Sequence, residues 1–194
     1  FRRVLFRSNK VIVYGGNFRI YLTTSNYVQL WYGASEQVAS TTALNLSAWN
    51  HVAVVRTSTS SNGTAIYTNG TKFTGTDDAT WPTSAGYISY NGSTANTSFL
   101  GYISNLRIVK GTAVYTGASI TPPTSQLTAI GGTSLLTCQS NTLVDNSTSS
   151  AALTVGGSVY PSQINPFATS TSANPTAWSL STRSEEHTSE LQSR

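Results

Sequence analysis

WNHVAVVRTSTSSNGTAIYTNGTKF, residues 49–73, is the stretch that decides the fold. Within Trp49–Arg56 the residues that alternate along an extended strand are apolar on both sides, a pattern typical of an interior strand covered on both faces. Thr64–Thr68 also alternates and leads into Asn69-Gly70, a pair that tolerates the positive φ angles of a tight hairpin turn. The stretch therefore predicts an interior strand, a loop and a second strand that returns through a hairpin.

Short runs of β-branched and aromatic residues surround this stretch, and no segment has helical periodicity. Glycine and asparagine separate the first runs, which predicts a meander of consecutive antiparallel strands. The predicted strands are Lys10–Gly15, Phe18–Thr23, Tyr27–Tyr32, Glu36–Ser40, Gly86–Tyr90 and Phe99–Lys110.

Two segments resemble the laminin-G-like, concanavalin A-like lectin/glucanase superfamily. One is WNHVAVVR together with AIYTNGTKF, and the other is FLGYISNLRIV at Phe99–Val109. The resemblance implies an all-β, antiparallel β-sandwich of the jelly-roll type, here with the opening strands missing from the N-terminus. Within such a fold the apolar strand residues are expected to be buried: Val52, Val54, Val55, Ile66, Ile103, Leu106 and Ile108.

The continuation KGTAVYTGASITPPTSQLT at Lys110–Thr128, with the SLLTCQSNTLVDNS that follows it, is similar to tail and appendage proteins of bacteriophages and to environmental viral sequences. That resemblance implies a virion or extracellular location. The partners it implies are a glycan or host cell surface and neighbouring repeats in a longer chain.

The resemblance implies a sandwich at residues 9–128 and a restart at 129–165, and the composition predicts an irregular linker at 166–182. In the restart, Ser134–Cys138, Asn141–Asn146 and Ala152–Gly156 resemble opening strands of a laminin-G-like domain. These strands either begin a second repeat or fold back and complete the first.

Both ends of the chain, residues 1–8 and 183–194, resemble translated sequencing adapter and are set aside from fold reasoning. A basic arm and a charged tail are the alternative interpretation. Outside these ends the basic side chains are scattered singly, which argues against a nucleic-acid surface. These residues are Lys10, Arg19, Arg56, Lys72, Arg107 and Lys110.

Composition also argues against membrane insertion, because no apolar run is long enough to span a bilayer. Cys138 has no partner cysteine for an internal disulfide, and it is expected to act as a small buried hydrophobe. The sequence offers too few ligands for a zinc site.

Acidic residues are scarce, and this argues against an enzyme. Outside the ends they are Glu36, Asp77, Asp78 and Asp145. Glycoside hydrolases of related fold need two carboxylates flanking the scissile bond, and none of these four forms the paired strand pattern of those enzymes. His51 has no neighbouring acid or activated serine in the sequence, so it is expected to be a packed strand residue rather than a base.

The loop at Gly75–Ser84 is the candidate binding site. It combines Asp77, Asp78 and Trp81, and Tyr90 and Asn91 of a later loop are expected to approach it. An aromatic face and nearby carboxylates suit sugar recognition.

Two other interpretations of this loop stay open. Trp81 is the lid of the core in the first, and Asp77 or Asp78 binds calcium in the second. Trp31 and Trp49 are expected in the core.

Three functions are compatible with these sequence features. The first is a non-catalytic carbohydrate-binding or adhesion module of a phage structural or secreted surface protein. The second is a structural spacer in a tandem appendage, and the third, disfavoured by the scarcity of acids, is a glycoside hydrolase.

Overall fold

The structure is a computed structural model, and it describes residues 9–81, 86–90, 98–156, 159–162 and 164–167. In these ranges all regular structure is β-strand, with antiparallel pairing between the strands. The described ranges contain no helix long and apolar enough to cross a membrane. The prediction of an all-β antiparallel sandwich is confirmed.

The first sheet is the predicted meander. It has five strands in the order β4-β3-β2-β1-β8. Hairpin connections join the first four strands in chain order, and β8 pairs with the free side of β1. The strands are β1 (Lys10–Gly15), β2 (Phe18–Leu22), β3 (Val28–Tyr32), β4 (Ser35–Ala39) and β8 (Tyr87–Ile88).

The second sheet has three strands in the order β5-β6-β7, at Val52–Arg56, Thr64–Thr68 and Thr71–Gly75. The predicted hairpin at its tip is confirmed, because Thr68 pairs with Thr71 around Asn69 (φ 50°) and Gly70 (φ 94°). Both positive φ values match the type I′ turn that this residue pair favours. A side chain at Gly70 would also collide with the backbone, because its Cβ would overlap the carbonyl oxygen of Ile120.

The core fills the space between the two sheets. Leu22, Val28, Leu30 and Val38 of the first sheet pack with Ile66 of the second. Val52 and Val54 are packed against this cluster. Full burial of one such side chain contributes roughly 1.5–3 kcal/mol to stability.

The other face of the second sheet is covered too. Val55, Ala65 and Tyr67 form a smaller cluster there, and Tyr115 and Ile120 of the later chain pack against it. Alternate residues of β5 thus serve two clusters, as its apolar pattern predicted. However, β5 pairs only with β6 among the described strands, so it is an edge strand and β6, buried at every residue, is the interior one.

The third sheet has two strands, β9 (Leu106–Val109) and β10 (Thr133–Thr137), which pair antiparallel. The predicted strand at Phe99–Lys110 is therefore shorter than expected. It begins after Asn105, whose positive φ of 54° departs from strand geometry. Asn105 instead holds neighbouring loops, because its Oδ1 accepts hydrogen bonds from Leu127 N at 3.0 Å and Gln139 Nε2 at 3.1 Å.

Burial agrees with prediction at Val55 and Ile66, and it is partial at Val52, Val54, Ile103 and Leu106. Ile108 was predicted to be buried and is 37% exposed. Ile108 belongs to neither of the two core clusters of the described residues. The expectation of burial at Ile108 was wrong because β9 pairs with β10 in a separate two-stranded sheet rather than in either sheet that encloses the core.

The restart segment contributes one strand rather than three. Ser134–Cys138 corresponds to β10, whereas residues 141–146 and 152–156 contain no strand. A carboxylate organises the loop after β10: Asp145 Oδ1 accepts hydrogen bonds from Leu136 N and Ser147 N, and Oδ2 from Ala151 N and Ser147 Oγ, all at 2.9 Å. The domain boundaries stay predictions, and residues 1–8 and 168–194 lie outside the described ranges.

Candidate functional site: an aromatic face on the five-stranded sheet

The predicted site loop is tied to the protein interior. Asp77 is fully buried, its Oδ1 accepts a hydrogen bond from Ala79 N at 3.0 Å, and its Oδ2 accepts one from Trp81 Nε1. Arg56 Nη1 lies 3.7 Å from the same Oδ2. These contacts leave Asp77 turned away from solvent, which is a poor position for meeting a sugar.

Trp81 covers one end of the core. The centroid of its ring lies 4.9 Å from the centroid of the Phe18 ring. The guanidinium carbon of Arg56 lies over the Trp81 ring, 4.3 Å from the ring centroid. The geometry corresponds to the alternative in which Trp81 is a lid. Asp78, the residue after Asp77, is exposed.

Tyr90 packs next to β8 rather than in the loop at Gly75–Ser84. Its ring packs edge-on against Tyr87 at 5.4 Å, next to β8, and Asn91 lies outside the described residues. The ring contacts of Trp81 are with Phe18 and Arg56, whereas that of Tyr90 is with Tyr87. Of the five predicted site residues, the structure thus brings together Asp77, Asp78 and Trp81 in one loop.

A different surface has the features of a ligand site. On the first sheet Ile20, Leu22 and Leu30 point to the core, so the residues that alternate with them point away from it. Strand register sets one row of such residues directly opposite one another across all five strands. From β8 to β4 the row is Tyr87, Tyr14, Arg19, Trp31 and Glu36. We call Tyr14, Arg19, Tyr21, Trp31 and Tyr87 the aromatic face.

The rings of the aromatic face form two groups. Tyr14 and Tyr87 lie 6.1 Å apart at the β8 side, and Tyr87 extends this group to Tyr90. Tyr21 and Trp31 lie 6.3 Å apart in an edge arrangement at the β3 side. The row therefore presents aromatic surface on both sides of Arg19.

Hydrogen bonds fix the orientation of Trp31. Its Nε1 donates to Gln29 Oε1 at 3.1 Å, and Gln29 Nε2 donates to Glu36 Oε2. A ring whose polar edge is already bonded can present its apolar surface without leaving a donor unsatisfied. These two hydrogen bonds, which connect Trp31 and Gln29 of β3 with Glu36 of β4, restrict Trp31 to one rotamer, as a binding side chain requires.

A shallow open depression of about 570 Å³ lies over this half of the aromatic face. Its lining consists of Arg19, Tyr21 and Trp31, with Asn9, Asn17, Gly33 and Ala34 at the rim. The size falls within the range of small-molecule sites, and the mixture of rings with a few polar groups is typical of them. The depression is therefore a candidate site for a ring-shaped, amphipathic ligand.

This face was not predicted from the sequence. Trp31 and Trp49 were expected in the core, but Trp31 is half-buried on the outer surface and Trp49 is 40% exposed. The signal was present in FRIYL and VQLWY, where Arg19, Tyr21 and Trp31 alternate with the aliphatic core residues. Counting Trp31 as a hydrophobe hid that alternation.

His51, a residue type suited to acid-base catalysis, lies away from the aromatic face. His51 packs edge-on against Tyr115 at 5.9 Å, and burial lowers its pKa from the ordinary 6.5. Among the described residues no cluster of three or more His, Cys, Asp or Glu side chains could hold a metal ion. Calcium at Asp77 or Asp78 stays a prediction.

Comparison with known proteins gives one match. A family model described as the concanavalin A-like lectin/glucanases superfamily matches residues 2–121, more than half of the chain. No curated protein and no solved structure matches significantly. The matched region contains β1 to β9 and the whole aromatic face, and it begins within the stretch interpreted as adapter-derived.

Proposed function

Because the chain belongs to the concanavalin A-like lectin/glucanase superfamily, we propose that it is a non-catalytic carbohydrate-binding module whose ligand lies on the aromatic face. One observation carries the proposal: register places Tyr87, Tyr14, Arg19 and Trp31 in a row on the outer side of the sheet. Flat aromatic rings pack well against the apolar faces of sugar rings, while neighbouring polar groups bond the hydroxyls.

The distribution of carboxylates supports a non-catalytic role. Glycoside hydrolysis uses two carboxyl groups roughly 5–10 Å apart on either side of the scissile bond. Glu36 is the acidic residue of the row on the aromatic face, whereas Asp77 and Asp145 are buried in hydrogen bonds of their own. Among the described residues, a sugar on this face would meet one carboxylate of the row rather than a pair.

We place the module on a virion or on a secreted surface protein, where it would attach to glycans of a host cell. The resemblance of residues 110–128 to phage tail and appendage proteins supports this location. The low proportion of charged residues, 9%, and the abundance of Ser, Thr and Asn are compatible with repeated extracellular domains.

A glycan array followed by calorimetry on the best ligand tests the proposal. Trp31→Ala should lower the affinity at least about tenfold, as expected from losing one aromatic stacking partner. Trp49→Ala is the matched control: Trp49 is exposed, contacts Tyr102, and lies outside the aromatic face.

Two results would count against this site. Equal loss of affinity in both variants would show that the effect is not local to the aromatic face. Loss on Trp81→Ala, with Trp31→Ala unaffected and both proteins folded, would move the ligand to the loop after β7. Absence of any glycan ligand would favour the structural spacer.

A further inference from the structure

Arg19 is a half-buried cation without an acidic partner among the residues that the structure describes. Arg56, which is also partly buried, has Asp77 at 3.7 Å to balance its charge. Burying an arginine without an anion is unfavourable, because part of its hydration is lost and no opposite charge replaces it. The difference between the two arginines indicates that the counter-charge of Arg19 comes from outside the described chain.

Two hydrogen bonds hold the Arg19 guanidinium, but they do not use all of its N–H donors. Arg19 Nη1 donates to Tyr21 Oη at 3.1 Å and Nη2 donates to the carbonyl oxygen of Gly33. Its Nε is buried and has no acceptor. An arginine has more N–H donors than these two bonds use, so the terminal nitrogens can still donate to a ligand in the depression.

The neighbours of Arg19 define what such a ligand looks like. The Tyr21 ring centroid lies 5.7 Å from the guanidinium carbon, and Trp31 is directly opposite Arg19 on the next strand. A planar guanidinium fork matches a planar carboxylate, with which it forms two parallel charge-assisted hydrogen bonds. The rings beside it offer apolar surface at the same level.

We propose that the aromatic face selects an acidic sugar, with Arg19 binding the carboxylate of a uronic or sialic acid and Trp31 contacting the sugar ring. This inference rests on the proposed function and adds the chemical class of the ligand. The carboxylate supplies the missing counter-charge, which gives acidic sugars an advantage over neutral ones of the same shape.

Glu36 does not cancel this preference. It is exposed, its Oε2 accepts a hydrogen bond from Gln29, and it lies two strands from Arg19. Adjacent strands are about 4.8 Å apart, so the two backbones are separated by roughly 10 Å. Among the described residues Glu36 forms no ion pair with Arg19, and salt screens an exposed carboxylate.

The test compares matched oligosaccharides on the full chain by calorimetry: one carrying a carboxylate, its methyl ester, and the neutral analogue. The acid should bind at least about tenfold tighter than the ester, as charge-assisted hydrogen bonds imply. Raising the salt concentration should lower the ratio of the affinity for the acid to the affinity for the ester. This comparison uses the unaltered protein and does not depend on any variant folding.

Variants then assign the effect to Arg19. Arg19→Gln should remove the preference for the acid while retaining weak binding of the neutral sugar, and Arg19→Lys should keep part of it. Arg107→Gln is the control, because Arg107 contacts Thr128 O outside the aromatic face. An unchanged acid-to-ester ratio in Arg19→Gln overturns the assignment.

The remaining outcomes separate this inference from the proposed function. Equal binding of acid, ester and neutral sugar overturns the inference and leaves a carbohydrate-binding module. Binding of sulfated sugars without carboxylated ones overturns the carboxylate assignment. Binding of no sugar overturns the proposed function itself.

Discussion

The guanidinium carbon of Arg56 lies 4.3 Å from the centroid of the Trp81 ring. The two residues come from β5 and from the loop after β7, and both contact Asp77. A ring, a cation and a buried carboxylate thus close one end of the sandwich. We expect this group to contribute to stability rather than to ligand binding.

Trp81→Ala should destabilise the protein by about 3 kcal/mol, because it opens a cavity beside Phe18 and removes a donor from Asp77. Chemical denaturation measures the change. Trp49→Ala, at a tryptophan that is 40% exposed, should cost much less. Similar losses in both variants would contradict the lid assignment.

Asp77→Asn should also destabilise, by about 3 kcal/mol, because it leaves the Arg56 charge without a partner in a partly buried position. Asp78→Asn, on the exposed neighbouring residue, is the control and should change stability little. Because the Asp77 oxygens already contact protein donors, we expect EDTA to leave the melting temperature unchanged. A calcium-dependent rise in melting temperature that Asp78→Asn abolishes would instead establish the predicted calcium site.

Asp145 should make stability depend on acid pH. Desolvation raises its pKa, but hydrogen bonds from Leu136 N, Ala151 N, Ser147 N and the Ser147 hydroxyl outweigh this and lower the pKa from 3.8 to about 2. Since the folded pKa is below the unfolded one, the contribution is complete above about pH 4 and is lost as the pH falls through about 2. Melting curves of Asp145→Asn should lack this loss between pH 4 and 2, at the cost of lower stability at neutral pH.

His51 should make stability depend on pH in a higher range than Asp145 does. Burial lowers its pKa from 6.5, so the folded protein binds a proton less readily than the unfolded chain does. The contribution of neutral His51 to stability is therefore complete above pH 6.5. It decreases as the pH falls from 6.5 to the lowered pKa of His51 in the folded protein, and below that pKa it is lost. His51→Gln should flatten melting temperature over this range while leaving the Asp145 step in place.

Removal of β10 tests the third sheet. A chain ending at Thr128 lacks Thr133–Thr137, which leaves the strand Leu106–Val109 without its partner. An unpaired strand exposes backbone donors and acceptors and promotes association, so the shortened chain should melt earlier or aggregate. A chain ending at Gly156, which keeps β10 and the Asp145 bonds, is the control. An unchanged, monomeric chain ending at Thr128 would show that β10 is dispensable.

The parts of the fold that depend on neighbouring residues were predictable. The hairpin at Asn69-Gly70 and the first meander strands follow from turn chemistry and alternation, and the structure has them within a residue or two. The edge position of β5 was not predictable, because it depends on which distant strand pairs beside it. For the same reason a polar loop sequence could not reveal that Asp77 points to Arg56.

The candidate site was harder to predict than the fold. Trp31 and Leu30 are adjacent, and either could face the core until the partner strands fix the direction. Arg19 was a scattered cation in the sequence, and only register brings it between Tyr14 and Trp31. A binding surface made of several strands is therefore visible once the pairing is known.

Six of the seven residues that line the depression lie in one uninterrupted segment, residues 17–34, whose two strands have core and surface residues at alternate positions. Substitutions at the outward positions can therefore change the proposed ligand surface while the inward positions preserve folding. Exchange of this segment between related genes would transfer that candidate surface in a single recombination event. Specificity in this domain can consequently diversify faster than its architecture.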